Sequence, residues 1–313
     1  MTANPPALPF TGERFVPNSP DAKGEMWYEH WHRYHYVLPL VAGKKVLDVA
    51  CGEGYGSALM SRRAGSVCGV DISTAAITHA RGAYSDRANL QFFEASCVKL
   101  PFSAAEFDRV VSFETIEHIA EQAEFLDEIK RVLKPEGVLI LSCPNKAEYS
   151  DKRGFTNEFH VRELYRPELE ALLAPHFGRI RWLSQRNAFV SMIVPENAVL
   201  AGGESLTVSQ TASDQPAAAL PALYDLAVAG NDVGAIDALP LRVSVFTDAE
   251  EWAYTDYRNT YKMYVAHAKA EVELWARNEA LTKEVADLRV TYSGQLAAPQ
   301  ESWLARLIRR LTS

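Results

Sequence analysis

Short apolar runs alternate with segments of helical periodicity from Lys44 onward. The runs have the length and the Val, Ile, Leu and Phe content of buried strands. Such alternation is typical of a parallel sheet that is covered by helices on both faces. Strands are predicted at residues 45–49, 66–70, 90–94, 107–113, 137–143 and 189–194, with a last strand at 223–228. The fold class is therefore predicted to be α/β, with a doubly wound, Rossmann-like, mostly parallel sheet of about seven strands.

A helix is predicted at residues 121–133, because Phe125, Ile129 and Val132 recur at helical spacing. The residues that follow, 134–137, read Lys-Pro-Glu-Gly. Proline and glycine in this order are typical of a helix stop and a turn. We therefore expect the helix to feed the fifth strand through a tight turn.

Three domains are predicted from the shifts in composition. Residues 1–42 are dense in aromatic and histidine residues and should form an N-terminal cap. Residues 43–235 contain the predicted sheet, with a flexible insertion at 196–219 that is rich in Ala, Gly, Ser, Thr and Gln. Residues 236–313 form a helical arm.

The arm contains a heptad pattern at residues 271–292. Leu274, Leu281 and Leu288 occupy one seam position, and Asn278 and Val285 occupy the other. This pattern predicts a short coiled coil, through which two copies could form a homodimer. A single amphipathic helix that docks on its own domain fits the pattern equally well.

The last helix is predicted at residues 303–311 and is amphipathic and basic. Trp303, Leu304, Leu307, Ile308 and Leu311 share one side, and Arg306, Arg309 and Arg310 share the other. Such a helix can lie on an anionic membrane surface, dock on a partner protein, or pack as a surface helix of its own chain.

Charge and cysteine content narrow the functional class and the location. The net charge of −8 over 313 residues argues against a nucleic-acid partner, which needs a dense positive surface. The four cysteines show no close metal-type spacing, so they are predicted to be thiols in a reducing compartment. No stretch approaches the ~20 apolar residues of a membrane span. A cytoplasmic location is expected, with peripheral contact at the inner membrane through the basic tail.

A glycine-rich turn follows the first predicted strand and is the strongest chemical signal. Asp48 ends the strand, and Gly52, Gly54 and Gly56 follow in alternation. Glycine lets a backbone approach a ligand closely. Asp71 ends the next strand about 20 residues later, where a carboxylate can accept the hydroxyls of a ribose. The pattern predicts a nucleoside-containing cofactor.

Acidic residues beside the turn decide between cofactor classes. A pyrophosphate prefers uncharged backbone N–H groups, whereas the ammonium of an amino acid prefers carboxylate and carbonyl oxygens. Asp48 and Glu53 flank the turn. They would oppose a dinucleotide and favour a cationic methionine group.

With its Val-Leu-Asp-Val-Ala-Cys-Gly-Glu-Gly motif at residues 46–54, the chain resembles the class I S-adenosylmethionine-dependent methyltransferases, in particular bacterial type-11-like members. The resemblance extends over residues 10–194 and implies that 43–235 bind S-adenosyl-L-methionine. It implies these cofactor-binding residues: Asp48, Gly52, Gly54, Asp71, Ile72, Ser96, Cys97, Phe113 and Tyr34. Many members carry Asp where this chain has Ser96, so the adenine contact would come from the Ser96 hydroxyl or from backbone.

Residues 107–118 resemble the fourth strand and the turn that faces the methyl group. Phe113 and Glu114 are expected closest to the sulfonium. A hydroxyl acceptor needs a base, and the candidates are His160, His118 and Glu114, in that order. No metal is expected, because the methyl carbon is already activated by the sulfonium.

The aromatic front end, residues 10–17 and 28–34, resembles a bacterial subgroup linked to surface polysaccharide or nucleotide-sugar modification. This resemblance implies O-methylation of a sugar or glycan. Three alternatives stay open: methylation of a quinone-type or other small metabolite, a scaffold in a polysaccharide-synthesis complex with an auxiliary methyltransferase fold, and a nicotinamide-dependent sugar enzyme.

Overall fold

The computed structural model describes residues 14–17, 24–188, 221–247, 251–297 and 303–312. The chain divides into two compact units, Met1–Phe246 and Thr247–Ser313. The predicted boundary at 235/236 falls inside the short helix Val233–Asp237, which belongs to the first unit. The sheet lies in the first unit, and a long helix lies in the second.

A seven-stranded mixed sheet forms the centre of the first unit, with the order β3-β2-β1-β4-β5-β7-β6. The strands are β1 (Lys45–Val49), β2 (Ser66–Asp71), β3 (Leu90–Glu94), β4 (Phe107–Phe113), β5 (Leu133–Pro144), β6 (Arg179–Gln185) and β7 (Tyr224–Gly230). β1 to β5 pair in parallel, and β7 is antiparallel to both β5 and β6. The predicted mostly parallel, doubly wound sheet is confirmed.

One strand of the sheet was not predicted from the sequence pattern. The predicted strand at 189–194 lies outside the described residues, and β6 is the segment Arg179–Gln185. Most β6 residues are partly exposed, because β6 is the edge of the sheet and pairs only with β7. An edge strand of this kind lacks the continuous apolar run by which the inner strands were predicted.

Residues 134–137, where a turn was predicted, belong to β5. The pairing of β4 with β5 shifts from Phe107↔Leu133 to Arg109↔Val138, so residues 134–137 bulge opposite Asp108. Lys134 Nζ lies 2.7 Å from the Asp108 carboxylate. The bulge lets the chain pass from helix to strand without leaving the sheet.

Helices cover both faces of the sheet, as the alternation predicted. They are α1 (Glu25–Val41), α2 (Tyr55–Met60), α3 (Thr74–Ala83), α4 (Gln122–Val132), α5 (Arg166–Leu173) and α6 (Val233–Asp237). Successive strand residues point to opposite faces, so Val46 packs in one core cluster and Leu47 in the other. α4 buries Phe125 and Ile129 in the second cluster.

The second unit contains α7 (Trp252–Ala297) and α8 (Trp303–Leu311). A C-terminal helical arm was predicted, and its helical content is confirmed. The coiled coil and the membrane or partner contact of the tail stay predictions. Among the described residues, no helix combines the length and the apolarity that crossing a membrane requires.

Candidate functional site

A cavity of about 820 Å³ opens at the carboxyl ends of β1, β2 and β4. The strand order reverses between β1 and β4, and ligands of doubly wound sheets bind at such a switch point. Eight predicted site residues line it: Tyr34, Gly52, Asp71, Ile72, Phe113, Glu114, His118 and His160. Four others do not line it: Asp48, Gly54, Ser96 and Cys97. A second cavity of about 500 Å³, beside α1 and β6, contains none of the predicted residues.

The glycine turn presents backbone to this cavity at one point. Gly52 has a φ of 56°, and a Cβ built on it would meet only Arg14 Cγ, at 3.9 Å. The Gly52 N–H donates to Asp71 Oδ2 at 2.9 Å, and the Cys51 N–H donates to the Val70 carbonyl at 2.9 Å. These bonds hold the turn against β2, so that its surface is preformed for a ligand.

The other two glycines of the turn are required by packing inside the protein. A Cβ on Gly54 would lie 2.6 Å from the Phe92 ring, and a Cβ on Gly56 would lie 2.0 Å from Tyr34 Cζ. Gly54 also has a φ of 90°, which favours glycine. Of the three alternating glycines, Gly52 therefore leaves space in the cavity, whereas Gly54 leaves space for Phe92 and Gly56 leaves space for Tyr34.

Asp48 lies behind the turn and is completely buried. It accepts a hydrogen bond of 2.6 Å from Ser57 Oγ and a longer one, of 3.2 Å, from Tyr34 Oη. Burial raises the pKa of Asp48 to about 7, although these two hydroxyls lower it. Its visible role is to join α1 and α2 to the end of β1.

Glu53 also points away from the cavity. Its carboxylate lies 3.2 Å from Tyr84 Oη and 3.3 Å from His79 Nε2, and burial raises its pKa. The two acids that suggested a cationic cofactor group therefore act from behind the turn and do not touch the cavity.

Asp71 combines an anchoring role with access to the cavity. Its second oxygen accepts the Ser73 N–H at 2.9 Å, and Ile72 beside it is 75% exposed. A carboxylate has lone pairs beyond those used by two N–H donors. Ser96 is engaged in its own loop, where its hydroxyl accepts the Val98 N–H at 3.3 Å.

Aromatic rings form the wall between the turn and the end of β4. Tyr34 lies 5.1 Å from Phe113 and 5.2 Å from Tyr55, between ring centroids. Phe15 stacks on His30 at 4.9 Å, and His30 Nδ1 lies 3.0 Å from Tyr55 Oη. The described part of the front end, with α1, therefore lines the cavity.

Glu114 follows β4 in a left-handed conformation, with a φ of 51°. For a residue with a Cβ this conformation costs about 1 kcal/mol or more, and it is common at functional sites. The Ser142 hydroxyl donates to Glu114 Oε1 at 2.6 Å, and Arg33 Nη1 lies 2.8 Å from the same oxygen. These two contacts tie one Glu114 oxygen to α1 and β5.

A buried polar network that the sequence analysis missed surrounds Arg33. Its side chain is 1% exposed, and its guanidinium lies 4.7 Å from the centre of the Tyr224 ring. The Tyr224 hydroxyl donates to Glu29 at 2.9 Å, and the Asn187 amide donates to the other Glu29 oxygen at 3.0 Å. The spacing of Glu29 and Arg33 on α1, one turn apart, was the available signal.

Burial raises the pKa of Glu29 to about 7, while the nearby Arg33 and the Tyr224 hydroxyl lower it. Burial also raises the pKa of Tyr224, and the Glu29 and Glu114 carboxylates add to this rise. Glu29 and Tyr224 both line the cavity. We refer to Glu29, Arg33 and Tyr224 as the wall beside α1. This wall contains a carboxyl group, that of Glu29, whose pKa lies near 7.

The loop after β5 is attached to the 3₁₀ turn Ile116–His118. The Val161 and Arg162 N–H groups both donate to the Glu117 carbonyl, at 2.8 and 3.0 Å. A parallel bridge between Asn145 and Leu164 closes the base of this loop. These backbone contacts place His160 beside His118, although the two residues are far apart in the chain.

The two histidine rings lie edge to face, with centroids 4.9 Å apart and planes at 77°. Tyr149 stacks on His160 at 5.6 Å from the other side. His160 Nδ1 lies 2.6 Å from Glu163 Oε1, and His118 Nδ1 lies 3.0 Å from the Phe159 carbonyl. The cavity thus has a glycine turn at one end and an oriented histidine pair at the other.

The cavity residues fit the predicted cofactor. Gly52 leaves open space that a Cβ would fill, and Asp71 presents a carboxylate to the same space. Arg14 also lines the cavity and supplies a cation for a carboxylate group, which the sequence analysis did not single out. Together these groups match an amino-acid head and a ribose.

Comparison with known proteins gives matches to methyltransferases. Residues 47–141 match a family model described as a methyltransferase domain. A "probable S-adenosylmethionine-dependent methyltransferase" of Mycobacterium tuberculosis is 32% identical over 253 residues, which cover 77% of this chain and 90% of the relative. A similarly named protein of Mycolicibacterium smegmatis is 40% identical over 55% of this chain, and the match spans 65% of that relative's length.

More distant matches cover less of the chain. A "ubiquinone biosynthesis O-methyltransferase" of Psychrobacter arcticus is 37% identical over 34% of this chain and 43% of its own length. A solved structure from Pyrococcus horikoshii is 22% identical, has a TM-score of 0.49, and covers 69% of this chain and 96% of its own.

Proposed function

Because the chain belongs to the S-adenosylmethionine-dependent methyltransferases, we propose that it methylates a hydroxyl oxygen of a sugar or glycan, such as a unit of a surface polysaccharide. The observation that carries this proposal is the oriented pair His118 and His160 at the end of the cavity opposite the glycine turn. A hydroxyl is a weak nucleophile that must lose a proton as it is methylated, and an oriented histidine can take up that proton.

We call the part of the cavity beside His118 and His160 the acceptor end. Its lining supports a sugar as the acceptor. Tyr149, Phe155 and Phe159 offer ring faces, and Asn157 and Glu158 offer hydrogen-bonding groups. Aromatic faces with interspersed polar groups suit a sugar ring, which has apolar C–H faces and polar edges. The membership of a polysaccharide-modifying subgroup rests on the resemblance of the front end alone.

In the proposed mechanism, Asp71 would hold the ribose of the cofactor, the Gly52 backbone and Arg14 would hold its methionine group, and Phe113 would border the reacting atoms. The bound cofactor supplies an activated methyl group. The protein aligns the acceptor with it and excludes water. The histidine pair takes up the acceptor proton, which contributes about 10²- to 10⁴-fold to the rate. His118 and His160 are preferred here to Glu114, because Glu114 Oε1 is already bonded to Ser142 and paired with Arg33.

A methyl-transfer screen tests the acceptor class. The purified chain is incubated with isotopically labelled S-adenosylmethionine and three acceptor sets: nucleotide sugars, glycan fragments, and catechol or quinol compounds. We expect label in a sugar hydroxyl. Label in the quinol set instead would favour the second candidate, which the ubiquinone O-methyltransferase relatives suggest.

Asp71→Asn tests the cofactor end. We expect its affinity for S-adenosylhomocysteine, measured by calorimetry, to fall at least about 10-fold, because the amide loses a charge and an acceptor position. Asp86→Asn, at an exposed position beyond α3, is the matched control and should bind like the unmodified protein. Equal affinity for Asp71→Asn would remove Asp71 from the cofactor site.

The scaffold alternative predicts that deletion of residues 271–313 abolishes association with a partner protein or a membrane. Deletion of residues 271–313 should leave methyl transfer to a free acceptor unchanged if the chain is an enzyme.

We also propose a cytoplasmic location, which the four free thiols support.

A further inference from the structure

Three side chains at the acceptor end form a cluster with metal-ligand character. Glu117, His118 and His160 each present one ligand atom, and these atoms all lie within 4.8 Å of one another. The Glu117 side chain is 1% exposed, whereas both histidines line the cavity. The cluster is therefore closed on the protein side and open toward the cavity.

The histidines are oriented as metal ligands usually are. His118 Nδ1 lies against the Phe159 carbonyl, and His160 Nδ1 lies against the Glu163 carboxylate. An oxygen acceptor at Nδ1 makes Nδ1 the protonated nitrogen and leaves the lone pair on Nε2. Histidines bound to a metal characteristically donate their other N–H to a carbonyl or a carboxylate in this way.

The surroundings of Nε2 agree with this assignment. His118 Nε2 lies 3.9 Å from Glu117 Oε1. The Asn157 amide nitrogen lies 3.0 Å from His160 Nε2 and is a donor, which identifies this nitrogen as an acceptor. A metal ion would take the place of the Asn157 hydrogen bond.

We propose that Nε2 of His118, Nε2 of His160 and the Glu117 carboxylate bind a divalent transition-metal ion such as zinc(II). Two histidines and one carboxylate are a common donor set of catalytic zinc, and they leave coordination positions open. The open positions face the acceptor end of the cavity. No metal was expected from the sequence, because the sulfonium already activates the methyl carbon.

The proposed ion specifies how the acceptor hydroxyl is activated. This catalytic role of the ion rests on the proposed function. An acceptor hydroxyl at an open position has a lowered pKa, as metal-bound water does. Its proton passes to solvent, the oxygen lone pair forms the bond to the methyl carbon, and the carbon–sulfur electron pair stays on sulfur. With the ion bound, the two histidines are its ligands and do not take up the acceptor proton themselves, so this route replaces direct proton transfer to the histidine pair. Metal binding itself needs no acceptor and no cofactor.

The experiment measures metal binding directly. The full chain is stripped with EDTA and titrated with cobalt(II), followed by visible absorption, and with zinc(II), followed by calorimetry. We expect one equivalent to bind with a d–d spectrum typical of four or five ligands. His118→Ala and His160→Ala should each weaken binding at least about 100-fold, and Glu163→Gln should weaken it about 10- to 100-fold.

His176→Ala is the control, because His176 pairs with Asp127 and does not line the cavity. It should bind cobalt(II) like the unmodified protein, and S-adenosylhomocysteine binding should show that all variants keep the cofactor end. If the stripped protein binds neither metal, or His118→Ala binds as well as His176→Ala, the metal site is wrong. Sugar methylation that persists in EDTA would overturn the site and leave the proposed function standing. Metal binding without sugar methylation would overturn the proposed function and leave the metal site standing.

A second inference rests on α7 and is independent of the site. All residues from 269 to 293 are exposed, including the seam residues Leu274, Leu281 and Leu288, at 67%, 49% and 50%. The helix is continuous through this segment. An apolar seam of this regularity needs a partner that repeats with the same period.

The heptad chemistry selects a second copy of this chain. Leu at one seam position with Val285 at the other favours two parallel strands, and Asn278 at a seam position sets their register. Glu284 and Arg289 then occupy the flanking positions that face each other across a parallel dimer. Their opposite charges are complementary in that arrangement. We infer that α7 forms a parallel homodimeric coiled coil.

Sedimentation equilibrium of the full chain tests the dimer. We expect a dimer for the unmodified protein and a monomer for Leu281→Asp. Val290→Asp is the matched control, since Val290 is 72% exposed and lies off the seam, and it should stay dimeric. A monomeric unmodified protein, or equal association of the two variants, would overturn the inference.

Discussion

The glycine turn and the wall beside α1 border the same cavity but are assembled in different ways. At the turn, the groups that meet are close in sequence: Gly52 is bonded to Asp71 across two adjacent parallel strands. At the wall, the Tyr224 hydroxyl is bonded to Glu29, which is 195 residues away, and Arg33 reaches Glu114 from another element. The turn is a local motif, whereas the wall exists only in the folded chain.

The two regions also differ in how they hold charge. At the turn, backbone N–H groups donate to the Asp71 carboxylate. The wall encloses Arg33 and Glu29, and charges taken out of water need partners. We therefore expect substitutions in the wall to reduce stability more than substitutions at the turn, and three variants test this difference.

Arg33→Met should have the largest effect. It removes the cation between Glu114 and the Glu29–Tyr224 pair and leaves buried carboxylates without a counter-charge. We expect the free energy of unfolding, measured with denaturant, to fall by about 3–5 kcal/mol. Arg63→Met, at an exposed position, should change it by less than about 0.5 kcal/mol. Equal losses would mean that Arg33 is not needed in the wall.

Glu29→Gln should change the pH dependence of stability. Burial raises the pKa of Glu29 from 4.5 to about 7, so the native state binds this proton more tightly than the unfolded state. The stabilisation from this group is complete below pH 4.5 and is lost as the pH rises to about 7. Over that interval the unmodified protein should lose about 2–3 kcal/mol more than the variant.

The amide keeps the packing of the wall, because Gln can accept from Asn187 and donate to the Tyr224 hydroxyl. Glu25→Gln is the control on the same helix, where the side chain is 70% exposed. Its pH profile should match that of the unmodified protein. Parallel profiles for Glu29→Gln and the unmodified protein would contradict the raised pKa.

Gly56→Ala should have the smallest effect of the three. It tests the contact between the glycine turn and Tyr34 on α1. The added Cβ would lie 2.0 Å from Tyr34 Cζ, so the Tyr34 ring has to move. We expect a net loss of about 1–2 kcal/mol, since overpacking costs about 1–3 kcal/mol and alanine is the better helix former. Gly234→Ala has ordinary contacts and should be neutral or slightly stabilising in thermal unfolding. A neutral Gly56→Ala would show that the contact is soft.

Much of the sheet was predictable because its signals are local. The five parallel strands are continuous apolar runs, and the residues at their carboxyl ends follow from the strand positions. For the same reason Gly52, Asp71 and Phe113 could be placed in one site. β6 escaped prediction because Arg179, Arg181 and Ser184 interrupt its apolar residues.

The acceptor end was only partly predictable. His118 and His160 were named, but their pairing depends on the backbone bonds from residues 161 and 162 to Glu117. Glu163 was missed because its role depends on the ring orientation of His160. Asp48 and Glu53 suggested the right cofactor class for a partly wrong reason, since both side chains lie behind the turn.

The sequence by itself determined the fold class, the cofactor and the edge of the sheet where the site lies, because strand runs and the glycine turn are encoded in neighbouring residues. Only the tertiary structure decided which side chains face the cavity, that Arg33, Glu29 and Tyr224 form one buried network, and that Glu117, His118 and His160 converge. Those arrangements depend on contacts between elements far apart in the chain, whose geometry no local pattern records.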